Sequence, residues 1–247
     1  MHQTKNHYSY SVYADPAIAR GFDADRFGGT IGELIKLTQE RVVFGTLPEV
    51  KGWKVIDVGA GTGRFTIPFL ASGAAEVAAC DASTQMLEVL QGKIRDPRLS
   101  VHVADAHQLQ FPDRYFDCAL SFRMLLHVVD WNKALSELCR VSGNYVVFDF
   151  PPKHGFLLLA PVFHWIRGLF TSKVQKYRTF RIPEVFAELD SNGFDVVTID
   201  PGFFLPLIVY RLIGSRRLMR YAERVFSSLG LARLAGSPFT LFARRRK

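Results

Sequence analysis

Residues 55–66 read VIDVGAGTGRFT: a β-branched run carrying Asp57 leads into three glycines, Gly59, Gly61 and Gly63. Glycine lets the main chain turn sharply and approach a ligand closely. A strand passing through such a turn into a helix brings backbone N–H groups and a helix N-terminus to one point. The chemistry this pattern supports is recognition of a nucleotide-like molecule, and spacing discriminates among such ligands. A dinucleotide fingerprint needs Gly-x-Gly-x-x-Gly, whose third glycine lets helix and strand pack around a pyrophosphate. Here the pattern is Gly-x-Gly-x-Gly, and Arg64 stands where that third glycine belongs. Asp57 at the strand end would repel a pyrophosphate, whereas it suits an ammonium group, directly or through water. A cationic ligand therefore fits better than a diphosphate, which weakens an NAD(P)-dependent oxidoreductase reading.

The elements that position this loop follow from apolar periodicity. Short β-branched runs at 54–58, 76–80, 99–103, 116–122 and 144–150 alternate with segments of helical spacing. Ser83 or Thr84 heads one such segment, with Met86, Leu87, Leu90 and Ile94 on one stripe. Asp130 heads another, with Leu135, Leu138 and Val141 similarly placed. Strand then helix, repeated, predicts a parallel sheet with helices on both faces. After Pro151 and Pro152 the rhythm breaks into an apolar, aromatic and basic block at 154–181. A helix ending at Gly193 and a strand at 195–202 then resume it, and a second irregular block at 203–235 precedes a last strand at 239–245. Asp81 and Asp105, like Asp57, fall at the C-terminal ends of predicted strands, the ligand-binding edge of such a sheet. The competing reading of all three is a cap or turn residue.

Taken together, DVGAGTG at 57–63, AACDAS at 78–83, VHVADAHQLQFP at 101–112, YFDCALSFRMLLHVVDW at 115–131 and ALSELCRV at 134–141 resemble, in order and spacing, the class I S-adenosylmethionine-dependent methyltransferase superfamily. The resemblance implies an α/β, Rossmann-like fold. Its seven strands are mostly parallel with the last antiparallel, its helices lie on both faces, a helical lid stands at the N-terminus, and helical insertions follow the fifth and sixth strands. One domain is expected over 1–247, with a lid at 1–50, a cofactor core at 51–150, and substrate-side insertions with the last two strands at 151–247. The cofactor implied is S-adenosylmethionine, with S-adenosylhomocysteine as product, and no metal. Gly59, Ala60, Gly61, Gly63, Ala82, Met86 and Phe122 are implied as cofactor-binding with Asp57. Asp81 would take the ribose hydroxyls, and Asp105 with Ala106 would face the adenine edge. The RVSGNYVV turn before the fifth strand departs from the family's Lys-Pro-Gly-Gly type by being shorter, far from the ligand edge.

Methyl transfer from a sulfonium needs alignment and exclusion of water more than acid or base chemistry, but a base helps when the acceptor is a hydroxyl or an acidic carbon. His127, after the fourth strand, is the best-placed candidate base; the competing reading is a histidine packed beside Met124, Leu125 and Leu126. Ser121-Phe122-Arg123-Met124 replaces the Asn/Asp-Pro-Pro-Tyr/Phe motif of amine-methylating relatives, which disfavours nucleic acid and amide acceptors. The irregular blocks supply Phe156, Phe163 and Trp165 as candidate substrate contacts, or else a helical cover for the core. Tyr8, Tyr10 and Tyr13 in the N-terminal segment resemble part of a lid over the methyl site in small-molecule, lipid and quinone methyltransferases, with Arg26 near the cofactor carboxylate. The acceptor expected is an apolar, lipid-like or quinone-like small molecule, methylated on oxygen or carbon.

Charge adds a further expectation. Residues 1–150 carry 15 Lys and Arg against 17 Asp and Glu, while 151–247 carry 16 against 6, so the net +8 belongs to the C-terminal part. Arginines interleaved with Leu, Ile and Phe at 203–235 suit anionic headgroups, or simply solvated helix faces. The rival to an enzyme is a cofactor-holding module that docks on RNA, a membrane or a protein. Cys80, Cys118 and Cys139 show neither disulfide nor zinc spacing, the N-terminus has no signal-peptide pattern, and the apolar runs are short of a membrane span. A cytoplasmic or membrane-peripheral location is expected.

Overall fold

A computed structural model describes residues 13–153, 178–205, 207–231 and 236–247. In chain order the elements are α1 (Pro16–Phe27), α2 (Gly29–Thr46), β1 (Lys54–Val58), α3 (Thr66–Ala71), β2 (Glu76–Asp81), α4 (Thr84–Lys93), β3 (Leu99–Val103), β4 (Phe116–Ser121), α5 (Trp131–Val141), β5 (Ser142–Phe150), α6 (Ile182–Ser191), β6 (Phe194–Asp200), α7 (Leu207–Ile213), α8 (Arg216–Ser228) and β7 (Phe239–Arg245). The strands form one seven-stranded sheet in the order β3-β2-β1-β4-β5-β7-β6. The pairs among β1 to β5 are parallel, and β7 runs antiparallel to both β5 and β6. Strand order reverses between β1 and β4, where an open α/β sheet leaves a crevice beyond its carboxyl edge.

Alternation along the strands assigns each helix to a face. Ile56, Val58, Ala78, Cys80, Val146 and Phe148 point to the side covered by Leu135 and Leu138 of α5 and Val185 and Leu189 of α6. Val55, Val77, Cys118, Leu120 and Val147 point to the other side, against Val43 of α2 and Phe69 and Leu70 of α3. α4 adds Leu87 and Leu90 over Ala79 and Ala60. Buried on both faces, the central strands read as near-continuous apolar runs.

The predicted helix starts hold. Ser83 Oγ accepts the Met86 N–H at 3.2 Å and Asp130 Oδ1 accepts the Lys133 N–H at 3.1 Å, each satisfying an otherwise orphan donor of the first turn. At the N-terminal side, Asp15 caps α1 and Pro16 occupies its first turn. The shortened turn before β5 is structural: α5 passes directly into β5, and the Arg245 guanidinium donates to the carbonyls of Cys139 and Ser142 at the helix end. That cation on the negative end of α5 replaces a glycine-rich stop.

The second irregular block, from Phe203, forms α7 and α8, which pack on the N-terminal helices. Ile31 and Ile35 of α2 share a core with Phe203, Tyr210 and Met219. Arg211 donates to the backbone carbonyls of Asp25 and Arg26, and Arg216 donates to the Thr30 carbonyl and pairs with Glu33. Most of the first block, with Phe156, Phe163 and Trp165, lies outside the described residues, as do Tyr8 and Tyr10.

Candidate active site

β1 ends at Val58, and Gly59, Gly61 and Gly63 follow at φ of 78°, 54° and 88°. The N–H groups of Gly59 and Ala60 donate to the Cys80 carbonyl at 2.8 and 3.0 Å, laying the loop across the end of β2. There the Asp81 carboxylate accepts the Gly61 N–H on Oδ2 and the Ser83 N–H on Oδ1, both at 2.8 Å. Burial raises the Asp81 pKa, while the N–H groups of Ser83, Gly61 and Ala82 oppose the rise. Gly63 suits its φ of 88°, and a Cβ there would also press on the end of the Leu90 side chain.

A cavity of about 120 Å³ opens beside this loop at the carboxyl edge of the sheet. Gly59, Asp81, Ala82, Ala106, Tyr13 and His127 line it, so six residues singled out from the sequence converge. Val58, Ser83, Ala104, Arg123, Met124 and Val128 complete the wall. Most of the lining is apolar. The Tyr13 ring stands edge-on to the rings of His127 and Phe22, with centroids 6.4 and 5.9 Å away, and Ser83 Oγ donates to the Tyr13 carbonyl at 2.6 Å. The N-terminal helix is also tied to the glycine loop, since Thr62 Oγ1 donates to Asp23 at 2.6 Å and Lys93 bridges Asp23 and the Thr62 carbonyl. Arg26 is not on the cavity wall; its guanidinium lies 5.9 Å from the Phe22 ring centroid.

Other expected cofactor residues stand behind the wall. Asp57 is 3% exposed, and its Oδ2 accepts both the Thr66 N–H at 3.1 Å and the Thr66 hydroxyl at 2.7 Å, which ties β1 to the start of α3. The contact observed is thus closer to the cap reading, since the carboxylate accepts an N–H from the first turn of α3. Asp105 turns to His107, whose N–H it accepts at 2.9 Å, and His107 Nε2 accepts the Asp130 N–H at 3.3 Å. That side chain braces the start of α5, while its neighbours Ala104 and Ala106 face the cavity. Phe122 stacks on Phe65 with centroids 4.0 Å apart, Met86 is buried in α4, and Ala60 packs in the core beside Leu87. Gly61 and Gly63 shape the loop without lining the cavity.

Arg123 was not legible as a site residue. It has φ 61°, uncommon for a residue with a side chain, and such strain concentrates at functional sites. Its N–H is held by the buried Asp149 at the end of β5, and burial raises the Asp149 pKa. A lone positive φ leaves no mark on a single sequence. Arg64, in contrast, points inward: its guanidinium lies 4.5 Å from the Phe27 ring and 5.0 Å from the Phe65 ring, and burial lowers its pKa to about 10. All three cysteines are buried, and burial pushes the Cys80 and Cys139 thiols up to about 12, so neither supplies a thiolate nucleophile.

Asp81 supplies the cavity wall with a carboxylate that can accept hydrogen bonds from hydroxyl groups. Burial lifts Asp57 to about 6, with a smaller contribution from the neighbouring Asp81 charge, so this corner of the sheet holds negative charge at a cost. A family profile described as a methyltransferase domain matches residues 56–147, the stretch that builds the loop and all of the cavity wall except Tyr13. Over that stretch the chain is similar to methyltransferase domains. A demethylmenaquinone methyltransferase of Paenarthrobacter aurescens is 34% identical to it over 155 residues, which are 62% of this chain and 55% of the relative. A ubiquinone/menaquinone biosynthesis C-methyltransferase of Vibrio cholerae is 36% identical over 108 residues, 40% of this chain and 42% of the relative. The chain thus spans about half the length of these curated relatives. Among solved structures, a magnesium protoporphyrin IX methyltransferase of Synechocystis with bound SAH superposes with a TM-score of 0.61 at 19% identity. It covers 96% of this chain and 99% of its own, which establishes the shared fold.

The Asp57 environment makes a stability prediction. Its folded pKa of about 6 lies above the ordinary 3.8, so the native state binds the extra proton between these values and pays for the ionised form above pH ~6. Asp57→Asn keeps an acceptor for Thr66 and removes that cost. Thermal unfolding should show the variant more stable than the parent at pH 7.5, by up to about 3 kcal/mol. The gap should shrink as pH falls from 6 toward 4. A variant less stable at pH 7.5 would show that the carboxylate's bonds to Thr66 outweigh its desolvation.

Proposed function

We propose that the protein binds S-adenosylmethionine in the Asp81 cavity and transfers its methyl group to a ring carbon or hydroxyl oxygen of an apolar, quinone-type acceptor. The observation that carries this reading is the convergence of Asp81, the Gly59 turn, Tyr13 and His127 on one largely apolar cavity at the sheet's switch point. The quinone-type acceptor is supported by the names of the curated relatives. The donor supplies an electrophilic methyl on a sulfonium and leaves as a neutral thioether. Asp81 accepts hydrogen bonds from the ribose, Ala104 and Ala106 form the wall beside the base, and Val58 and Met124 line the path to the acceptor. Tyr13 and Val128 keep water from the reacting centre, where it would compete with the acceptor. His127 removes the acceptor's hydroxyl proton, raising electron density on the ortho carbon or on the oxygen itself. We place the enzyme in the cytoplasm or at a membrane surface. Among the described residues no helix is long and apolar enough to cross a bilayer.

The test is methyl transfer from deuteromethyl-labelled S-adenosylmethionine to a reduced, demethylated quinone with a short prenyl tail. The product should carry the labelled methyl on the ring or an oxygen. His127→Ala should lower kcat by about 100-fold, with donor affinity retained. An unlabelled product pool, with the donor bound, would refute the acceptor class. Unchanged kcat in the variant would remove His127 from the chemistry.

A further inference from the structure

Helix α8 presents three stripes along its length. Met219, Glu223 and Phe226 face inward: Met219 is buried against α2, Glu223 accepts the Phe204 N–H at 3.0 Å and the Tyr210 hydroxyl, and Phe226 packs on Phe204 with ring centroids 4.1 Å apart. Arg217, Arg220 and Arg224, at i, i+3 and i+7, form a second stripe; all are exposed, and none pairs with a described acidic residue. The third stripe is apolar and open to solvent, with Leu218 57%, Tyr221 69% and Leu229 64% exposed. The end of α7 extends it through Leu212 and Ile213, also exposed. Arg211 and Arg216 are excluded from this surface because they already hold α1 and α2.

An inward stripe accounts for folding alone and leaves two thirds of the helix circumference unexplained. Exposed leucines beside unpaired arginines are costly in water, where the leucines bury nothing and the cations repel one another. The same arrangement is complementary to an anionic bilayer, whose headgroups neutralise arginines while its acyl boundary receives leucine and tyrosine side chains. We propose that the α7–α8 hairpin docks the protein on an anionic membrane surface, with Arg217, Arg220 and Arg224 at the phosphates and Leu218, Tyr221 and Leu229 inserted. Because α8 packs on α2 while Arg211 holds the end of α1, this surface adjoins the helices tied to the glycine loop. The docked enzyme would thus present its cavity near a lipid-dissolved acceptor. That benefit rests on the acceptor reading above, whereas docking itself needs neither donor nor acceptor.

The experiment is sedimentation of the full chain with phosphatidylcholine vesicles, with and without phosphatidylglycerol, at low and high salt. Binding should require the anionic lipid and weaken with salt. The triple variant Arg217→Gln/Arg220→Gln/Arg224→Gln should bind about 100-fold more weakly, and Leu218→Ser/Tyr221→Ser about tenfold more weakly. Since all five side chains point to solvent, S-adenosylmethionine affinity and Tm should stay at the parent's values. No vesicle binding, or binding untouched by both variants, overturns the proposal. RNA binding lost in the arginine variant without vesicle binding, or a dimer lost in Leu218→Ser/Tyr221→Ser, would assign the surface to nucleic acid or a second copy, and also overturns it.

Discussion

Asp81→Ala is expected to weaken S-adenosylmethionine binding by at least about 100-fold in calorimetry, with the folded state retained. Each Asp81 oxygen already accepts one backbone N–H, from Gly61 and from Ser83, and a carboxylate oxygen has room for a second donor. Two ribose hydroxyls on those sites are each worth about 1.5 kcal/mol or more as hydrogen bonds to a charged group, which together exceed a hundredfold in Kd. The alanine also releases the Gly61 N–H, so the loop loses its tether as well as the ligand its partner. Asp81→Asn separates these effects, because its amide keeps one acceptor but turns an NH₂ toward Gly61 or Ser83. It should bind at least tenfold more weakly and, with one of the two tethers kept, unfold between the parent and the alanine variant. An alanine variant that folds and binds the donor like the parent would remove the site from this edge of the sheet.

Gly59→Ala should be nearly as damaging, by a steric route. At φ 78° a side chain costs about 1–2 kcal/mol, and the added Cβ would stand 2.7 Å from Met124 Cβ and 2.8 Å from its Cγ. Met124 Cβ is close to the backbone and cannot swing away, so the loop after β4 must move, taking Arg123 and His127 with it. Donor affinity should fall by about 100-fold, with a stability loss of about 2–3 kcal/mol in denaturant unfolding. Gly92→Ala serves as the control. It lies in α4 with nothing within 4 Å of its added Cβ and no positive φ, and helix propensity makes it neutral or slightly stabilising. Retained affinity in Gly59→Ala would mean that the loop and the β4 segment move independently.

Central-strand positions were legible because burial on both faces leaves a run of apolar residues that turn residues interrupt, and the half-exposed edge strands β3 and β6 because β-branched residues recur along them. β1, β3 and β7 begin and end where the pattern placed them, and β2, β4, β5 and β6 differ by one or two residues. The alignment of Gly59, Asp81, Ala82 and Ala106 around one cavity was legible for a related reason: each follows a strand end, and parallel strands bring such ends to one edge. Side-chain direction was not legible. Asp57 and Asp105 occupy the same kind of position as Asp81, yet one is satisfied by Thr66 across the glycine loop and the other by His107 within its own turn. Phe122 and Met86 looked equally suited to the cavity and went to the core, because neighbouring helices left apolar space there.

Local pattern therefore determined the alternation of elements, the sharp turn after β1 and the charge asymmetry, since each depends on residues adjacent in the chain or one helical turn apart. Tertiary structure decided which carboxylate faces the cavity, that Arg123 takes a left-handed backbone there, and that α7 and α8 rest on the N-terminal helices. Those outcomes are set by competition for hydrogen-bond partners and apolar volume among segments up to 186 residues apart, as between Arg211 and Asp25. No local spacing encodes such a competition.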